Sequence, residues 1–561
     1  MKMQEIQHNM NTDAIIIFRN NQFLGQDVLP EENQVLNLCG FSGSAGTMVI
    51  TPQKAFLFVD GRYEIQAKKE VDKKKVEVIV EDAEYNLLNW LKENLASSTI
   101  AYNPWQISES RLQRFKRLLP KAVFVSEPQI IATKKAKVFE HELKYAGLSA
   151  QKKIKLLCKD MKLKNGEFCL ICAADSVSWL LNLRSDALTD TPIVRAMALV
   201  NATGEFIIFA DNLVLPKELK LKKYSLNKIE TILKSLKADK ILLDFGTTPA
   251  AIREICQKLK IATIDKTDWC FLSKAKKNKT ELQGMINAHI RDGIAVCKFL
   301  AWFEKNYKNK TEIDIVKKLL DFRKKQSLFY SLSFETIAGS AENAAIIHYQ
   351  PKEGDCAKIK ENSILLVDSG AQYFDGTTDI TRTLAVGTPT HDMIEKFTLV
   401  LKAHIALSSQ KFPEHTSGLR LDAICRGVMW KYGLDYKHGT GHGVGCFLNV
   451  HEGPQSMSVS GSNYPLEQNM VLSIEPGYYQ ENDFGIRIEN LVYVMKAKEK
   501  GFLKFCPLTF VPIDKRLIDR YLLSKEEILW LNDYHKKVYK LIAPHLTANE
   551  CKWLKGACSS L

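Results

Sequence analysis

Residues 368–383 read DSGAQYFDGTTDITRT, followed by HGTGHGVG at 438–445, VLSIEPGYY at 471–479 and FGIRIENLVYV at 484–494. In these stretches short apolar or glycine-rich runs deliver single charged residues: Asp368, Asp379, His442, Glu475 and Glu489. An isolated buried carboxylate costs several kcal/mol, so something positive must offset these four. Four carboxylates carry a formal charge of −4, which two divalent cations neutralise with room for a bridging hydroxide. One ion would leave the site too negative. Carboxylates with a single imidazole suit hard, oxygen-loving ions, and the lack of cysteine among them argues against structural zinc.

Spacing tests the grouping. Glu475 and Glu489 each stand seven positions from Asn482, so a hairpin centred there sets them opposite each other. Alternation on the second strand puts Arg487 on the face of Glu489, as a support for the ligands, with Ile486 and Ile488 on the other face. The aspartates fit less simply. A two-residue turn at Asp375-Gly376 aligns Asp379 with Gln372, so a bulge or longer loop is needed to bring it to Asp368.

The histidines of HGTGHGVG have helical i, i+4 spacing, but Gly439, Gly441, Gly443 and Gly445 weigh against a helix and suit close approach of backbone to a ligand. His348, His438, His442 and His451 all fall in glycine-flanked or strand-ending segments, and Ala345–Tyr349 reads as a short strand with His348 at its end.

The order Asp, Asp, His, Glu, Glu, together with NVHEGP at 449–454, resembles the metallopeptidases with the pita-bread fold. Among them it resembles aminopeptidase P, the Xaa-Pro aminopeptidases, in the long three-domain cytosolic form. GFSGSAGT at 40–47 and DGRY at 60–63 extend the resemblance over nearly the whole chain. It implies an α/β and α+β multidomain protein: two creatinase-like α/β N-terminal domains at 1–138 and 139–279, a pita-bread catalytic domain at 280–512 and a helical extension at 513–561. It further implies manganese as the metal pair and a homodimer. Asp379 and Glu489 match the bridging carboxylates, Asp368 completes one metal's set, and His442 and Glu475 complete the other's. His348 and His438 match the pocket for the proline that follows the scissile bond, and Arg487 joins His348, His438 and His451 as a substrate-binding candidate.

The reaction this implies is hydrolysis of the bond between an N-terminal residue and a penultimate proline, by a hydroxide bridging the two metals. Glu475 is placed to relay its proton to the departing amine, and His451 and His348 to donate to the developing oxyanion, so the catalytic candidates are His348, His438, His451 and Glu475. A tertiary Xaa-Pro amide lacks an N–H, so sites that need that donor reject it. Three other readings stand beside this one: a prolidase confined to Xaa-Pro dipeptides, a metal-free pita-bread protein that binds peptides, and an interaction role carried by an active enzyme.

Working outward, 561 residues exceed one ordinary core, and 45% hydrophobic with 25% charged residues describe a soluble globular protein. The N-terminus MKMQEIQHNMNTDA lacks an apolar h-region and no run of 18 apolar residues occurs, so the expectation is a cytoplasmic protein with no membrane partner. Thirteen cysteines without a repeated spacing fit reduced thiols, and the single C-x-x-C, Cys169 and Cys172, lies in an apolar run with no second pair. The net charge of +14 is spread along the chain without interleaved aromatics, which reads as a basic solvated surface and predicts no specific nucleic-acid partner.

Apolar runs at Ala14–Phe18, Thr47–Ile50, Ala55–Val59 and Val76–Val80 alternate with helical stretches, an α/β pattern. GFSGSAGT reads as a turn, since no lysine follows and the run enters a strand. Polar, lysine-rich residues from Lys134 to Lys144 mark a boundary. A second α/β unit follows, and a second linker, SKAKKNKTE at 273–281, precedes a long helix that Thr280 can cap. Capping boxes start at Ser524 and Thr547. Cys558-Ser-Ser-Leu561 formally fits a prenylation pattern, with serines in place of the aliphatic pair.

Overall fold

Ile15, Ile16 and Ile17 alternate between two apolar layers, so the first strand, Ala14–Phe18, is buried on both faces as the interior of an α/β sheet requires. The computed structural model describes residues 3–216 and 221–561. Contacts divide the chain into two units: Met1–Leu143 with Leu148–Leu188 and Pro192–Phe271, and Lys144–Gly147 with Thr189–Thr191 and Leu272–Leu561.

The first unit contains two six-stranded sheets among the described residues. In one the order is Val76–Glu81, Ala55–Asp60, Thr47–Ile50, Ala14–Phe18, Thr99–Tyr102, Val123–Ser126. In the other it is Lys223–Tyr224, Phe206–Phe209, Met197–Asn201, Glu167–Ile171, Lys240–Leu243, Ala262–Asp265. Across each sheet the pairings run parallel, antiparallel, antiparallel, parallel, parallel. One architecture is thus built twice by sequences of different length. The boundary stretch after Lys134 holds a strand, Ala136–Glu140, and GFSGSAGT is the turn into Thr47–Ile50. Cys169 and Cys172 are buried free thiols.

In the second unit one apolar core packs helices Lys279–Asn306, Glu312–Lys324, His391–Ser408, Gly418–Trp430 and Lys525–Ile542 on antiparallel sheets. The long helix, capped two residues before Thr280, starts earlier than expected. Asn278 is its cap, accepting from the N–H groups of Thr280 and Glu281 while Glu281 bonds back. The preceding lysines are not a solvated linker: Lys274 and Lys277 are buried with Glu452. Ala345–Tyr349 is not a strand but the exit of a 3-10 turn, Ala341–Ala345.

Both expected hairpins form. Around Asn482, Gly477 pairs with Arg487 and Ile474 with Asn490, one continuous register in which Glu475 and Glu489 stand opposite. The aspartate hairpin needs no bulge. Its turn is Phe374-Asp375, which pairs Tyr373 with Gly376 and Asp368 with Thr381, so Asp379 lies two residues along the strand on the same face as Asp368.

Both capping boxes of the extension form, at Ser524 with Glu527 and Thr547 with Glu550. Arg382 ties that extension to the core, donating to the Val511 carbonyl, the Tyr534 hydroxyl and the Glu489 carbonyl. Cys558 packs against the core, where burial pushes its thiol up to about 12, and the Leu561 N–H donates to Asn532. The prenylation pattern therefore ends on a packed helix terminus. No helix among the described residues is long and apolar enough to cross a membrane.

Candidate metal centre and active site

Regular strands carry the acidic residues. Asp368 is the penultimate residue of Ser363–Ser369, Asp379 immediately precedes Ile380–Val386, Glu475 follows Val471–Ile474, and Glu489 joins Phe484–Arg487 to Asn490–Lys496. His442 is the middle residue of a short strand, Gly441–Gly443, between Glu452–Met457 and Val471–Ile474. The glycines around it serve neighbouring backbone, not a ligand. A Cβ at Gly441 would collide with the Ser473 carbonyl oxygen, and one at Gly443 with that of Glu452.

These strands bring ligand atoms of Asp379, His442 and Glu489 within 4.8 Å of one another. His442 Nε2 lies 3.5 Å from both Asp379 Oδ2 and Glu475 Oε1. Its Nδ1 is 2.9 Å from the Gly443 carbonyl, so Nδ1 keeps the proton and the Nε2 lone pair faces the carboxylates, the tautomer a metal requires. Burial first, then mutual repulsion with Asp368 and Glu475, pushes the Asp379 carboxyl well above the usual range; Glu489 is raised the same way. Burial also raises Glu475, which accepts a 3.1 Å bond from the Ser473 hydroxyl.

Asp368 and Asp379 each keep one buried oxygen, Oδ1, with no hydrogen-bond partner among the described residues. Orphaned buried carboxylate oxygens inside a cluster of carboxylates are what a cation site leaves when its donors are all oxygen and one imidazole nitrogen, so the residues fit two hard divalent ions.

Of the other candidates, His451 is exposed, its ring edge-on to His442 at 4.3 Å. His438 lies farther off, at the end of a chain of bonds: Arg487 donates to Asp368 Oδ2 at 2.7 Å and to the Tyr479 hydroxyl at 2.6 Å, and Tyr479 donates to His438 Nε2 at 2.8 Å. His438 Nδ1 bonds the Gly439 carbonyl, and burial holds this imidazole well below its ordinary value, hence neutral. Arg487 also donates to Thr381 and to the Ile347 carbonyl, so its nitrogens support the ligands and the His348 segment in preference to a substrate.

Family models match the chain along its length: "Creatinase/Prolidase N-terminal domain" at 2–133 and again, as a second model, at 126–281, "Metallopeptidase family M24" at 283–496, and the "C-terminal region of peptidase_M24" at 501–561. A "Probable Xaa-Pro aminopeptidase P" of Laccaria bicolor is 36% identical over 598 residues, covering 100% of this chain and 93% of that protein. The chain belongs to the Xaa-Pro aminopeptidase P family. The crystal structure of an X-prolyl aminopeptidase from Caenorhabditis elegans, described as a cytosolic enzyme with a di-nuclear active site, superposes with TM-score 0.94 at 32% identity over 100% of this chain and 98% of that one. A prolidase from Pyrococcus horikoshii, 23% identical with TM-score 0.51, covers 65% of this chain and 99% of its own and shares the fold alone. Membership in the Xaa-Pro aminopeptidase P family makes the chain a hydrolase with two creatinase-type N-terminal domains and a pita-bread domain.

The sequence reading missed Tyr479 and Thr381, both of which touch this network. Tyr479 had a signal: it stands four residues after Glu475, on the same face of the hairpin by alternation. Thr381, whose hydroxyl donates to Glu489 at 2.8 Å, stands opposite Asp368 in a register the sequence did not yield.

Proposed function

We propose that this site removes the N-terminal residue from peptides with proline in second position. The observation that carries the reading is the grouping of Asp379, Glu489 and a correctly tautomerised His442, with Glu475 3.5 Å from that imidazole and one orphaned carboxylate oxygen on each of Asp368 and Asp379. Asp379 and Glu489 would be shared between two divalent ions, with Asp368 on one side and His442 and Glu475 on the other. Such ions, when bound, supply a water of lowered pKa and polarise the scissile carbonyl. Family resemblance makes manganese the expected metal, and a donor set of four carboxylates and one imidazole is compatible with it.

Around that centre the chain's own residues divide the work. Glu475, half-buried and held by Ser473, takes the proton of the attacking water and passes it to the departing proline nitrogen. His451, beside His442 and open to solvent, donates to the oxyanion. His348 and neutral His438 line the pocket for the proline ring, and Arg487 fixes Asp368 and Tyr479. Family resemblance supports extending the proposal to a cytoplasmic homodimer.

The test is release of arginine from Arg-Pro-Pro by chelator-stripped protein, before and after addition of Mn²⁺. Activity restored by the metal supports the reading. Two bound metals with turnover of Xaa-Pro dipeptides alone would make the chain a prolidase, and absence of metal binding would make it a peptide-binding module.

A further inference from the structure

The segment that carries His348 lies outside any strand or helix, yet its path is specified at several points. After the strand Ile337–Ser340 the chain passes through Ala341 at φ 51°, a left-handed conformation for a residue with a Cβ. Such a residue persists only where its surroundings over-determine it. From there the chain makes the turn Ala341–Ala345, passes His348 and Tyr349, and enters the strand Ser363–Ser369.

Glu312 is what holds this path. It is the first residue of the helix Glu312–Lys324 and is fully buried. Its carboxylate accepts bonds from four groups, all of them within residues 340–357: the Ser340 N–H at 2.7 Å, Asn343 Nδ2 at 3.0 Å, the Tyr349 hydroxyl at 2.8 Å and the Ala357 N–H at 2.7 Å. Donors from both ends and the middle of the segment therefore converge on one side chain. The segment's other side is gripped by the Phe484–Arg487 strand. Arg487 donates to the Ile347 carbonyl, and Gly485 faces the Ala344 carbonyl so closely that any Cβ would collide. His348 stands between Ile347, held by Arg487, and Tyr349, held by Glu312.

We propose that Glu312 is a positioning residue for His348: it fixes the histidine's segment against the Arg487 strand and so sets the shape of the proline pocket. The inference rests on the reading of His348 as a wall of that pocket. A buried carboxylate satisfied by four donors of one segment fixes that segment's path.

The test compares Glu312→Gln, Tyr349→Phe, His348→Ala and each of the first two combined with His348→Ala. It reads kcat/KM on Arg-Pro-Pro and metal content per chain. Glu312→Gln keeps the shape but misplaces at least one donor, and a loss of about ten- to a hundred-fold is expected with both metals retained. Tyr349→Phe removes the bond to Glu312 and the one the hydroxyl accepts from Asn343, and should cost about three-fold in the same direction. In the His348→Ala background both losses should nearly vanish, because the residue being positioned is gone. Undiminished losses in that background would overturn the inference while leaving His348's own role intact. A neutral His348→Ala would overturn the pocket reading itself and the inference with it. Should Glu312→Gln fail to fold, Tyr349→Phe decides on the same criterion.

Discussion

Glu452 and Glu489 are both buried glutamates of the same unit, and the chain treats them in opposite ways. Glu452 lies 2.5 Å from the Lys277 ammonium and 3.3 Å from that of Lys274, two buried cations for one carboxylate. Glu489 has a threonine hydroxyl and the company of Asp379, Glu475 and Asp368, so that four carboxylates share Arg487 and one imidazole whose Nδ1 proton is already committed. Burial of acid in this unit is thus balanced by a cation, as at Glu452, or by a full set of neutral donors, as at Glu312, and the cluster around Glu489 has neither in sufficient number. Without a cation the cluster must take up protons, the direction in which Asp379 and Glu489 are shifted; bound divalent ions would supply the missing charge with the acids ionised.

The strongest way to break this comparison is to remove one acid from the cluster. Glu489→Gln should abolish metal loading and lower turnover at least about a thousand-fold, whereas His451→Ala should keep two metals per chain and slow turnover about ten- to a hundred-fold. Metal analysis beside kcat checks both. Equal metal loss in the two variants would erase the division between ligand and oxyanion donor.

A second experiment sharpens the comparison through the sign of one substitution. In chelator-stripped protein, Glu452→Gln leaves two buried ammoniums facing a neutral amide and should cost about 3–5 kcal/mol of stability in urea denaturation. The same change at Glu489 relieves repulsion and should leave the metal-free protein as stable or more so. A destabilised Glu489→Gln apo-protein would mean that the cluster is balanced without metal.

The contrast between the two glutamates also marks where the sequence was readable. The grouping of the acids with His442 and the hairpin about Asn482 could be read because local rules suffice: apolar runs ending in acids, and two glutamates equidistant from a turn residue that takes φ 61°. The aspartate hairpin was misregistered because Asp375-Gly376 has the composition of a tight turn. Gly376 is instead demanded by packing, since a Cβ there would press on Met285 and Ala288 of the long helix. Lys274 and Lys277 looked like linker lysines for the same reason: their partner, Glu452, is some 175 positions away, and nothing local signals it. His348 was assigned to a strand from its apolar neighbours, whereas Ala344 and Ala345 are buried residues of a 3-10 turn held by Glu312, and His348 follows it. What escaped the sequence was in each case a side chain whose role is set by a contact distant along the chain.

His535 shows a third way to bury a titratable group, by keeping it neutral, and it makes the smallest of the expected effects. It is buried in the helix Lys525–Ile542, where its Nε2 accepts the Ile513 N–H at 3.1 Å. Burial, reinforced by Lys515 and Arg382, pulls it down to about 3. Because the folded value lies below the unfolded one of about 6.5, the unfolded chain takes the proton first as pH falls. The stability contributed by the neutral ring is thus complete above about pH 6.5 and drains away below it, by about 1.4 kcal/mol between pH 7.5 and 5.5 for this one group. His535→Gln, whose amide oxygen can accept the same N–H, should lower stability at pH 7.5 yet narrow its difference from the parent by about that amount at pH 5.5. Urea denaturation of both proteins at the two pH values, metal-loaded throughout, makes the comparison. A difference that does not change with pH would show that His535 takes up its proton in the fold as readily as in the unfolded chain, and that this unit admits a buried cation beside Lys515 where the acid cluster has none to spare.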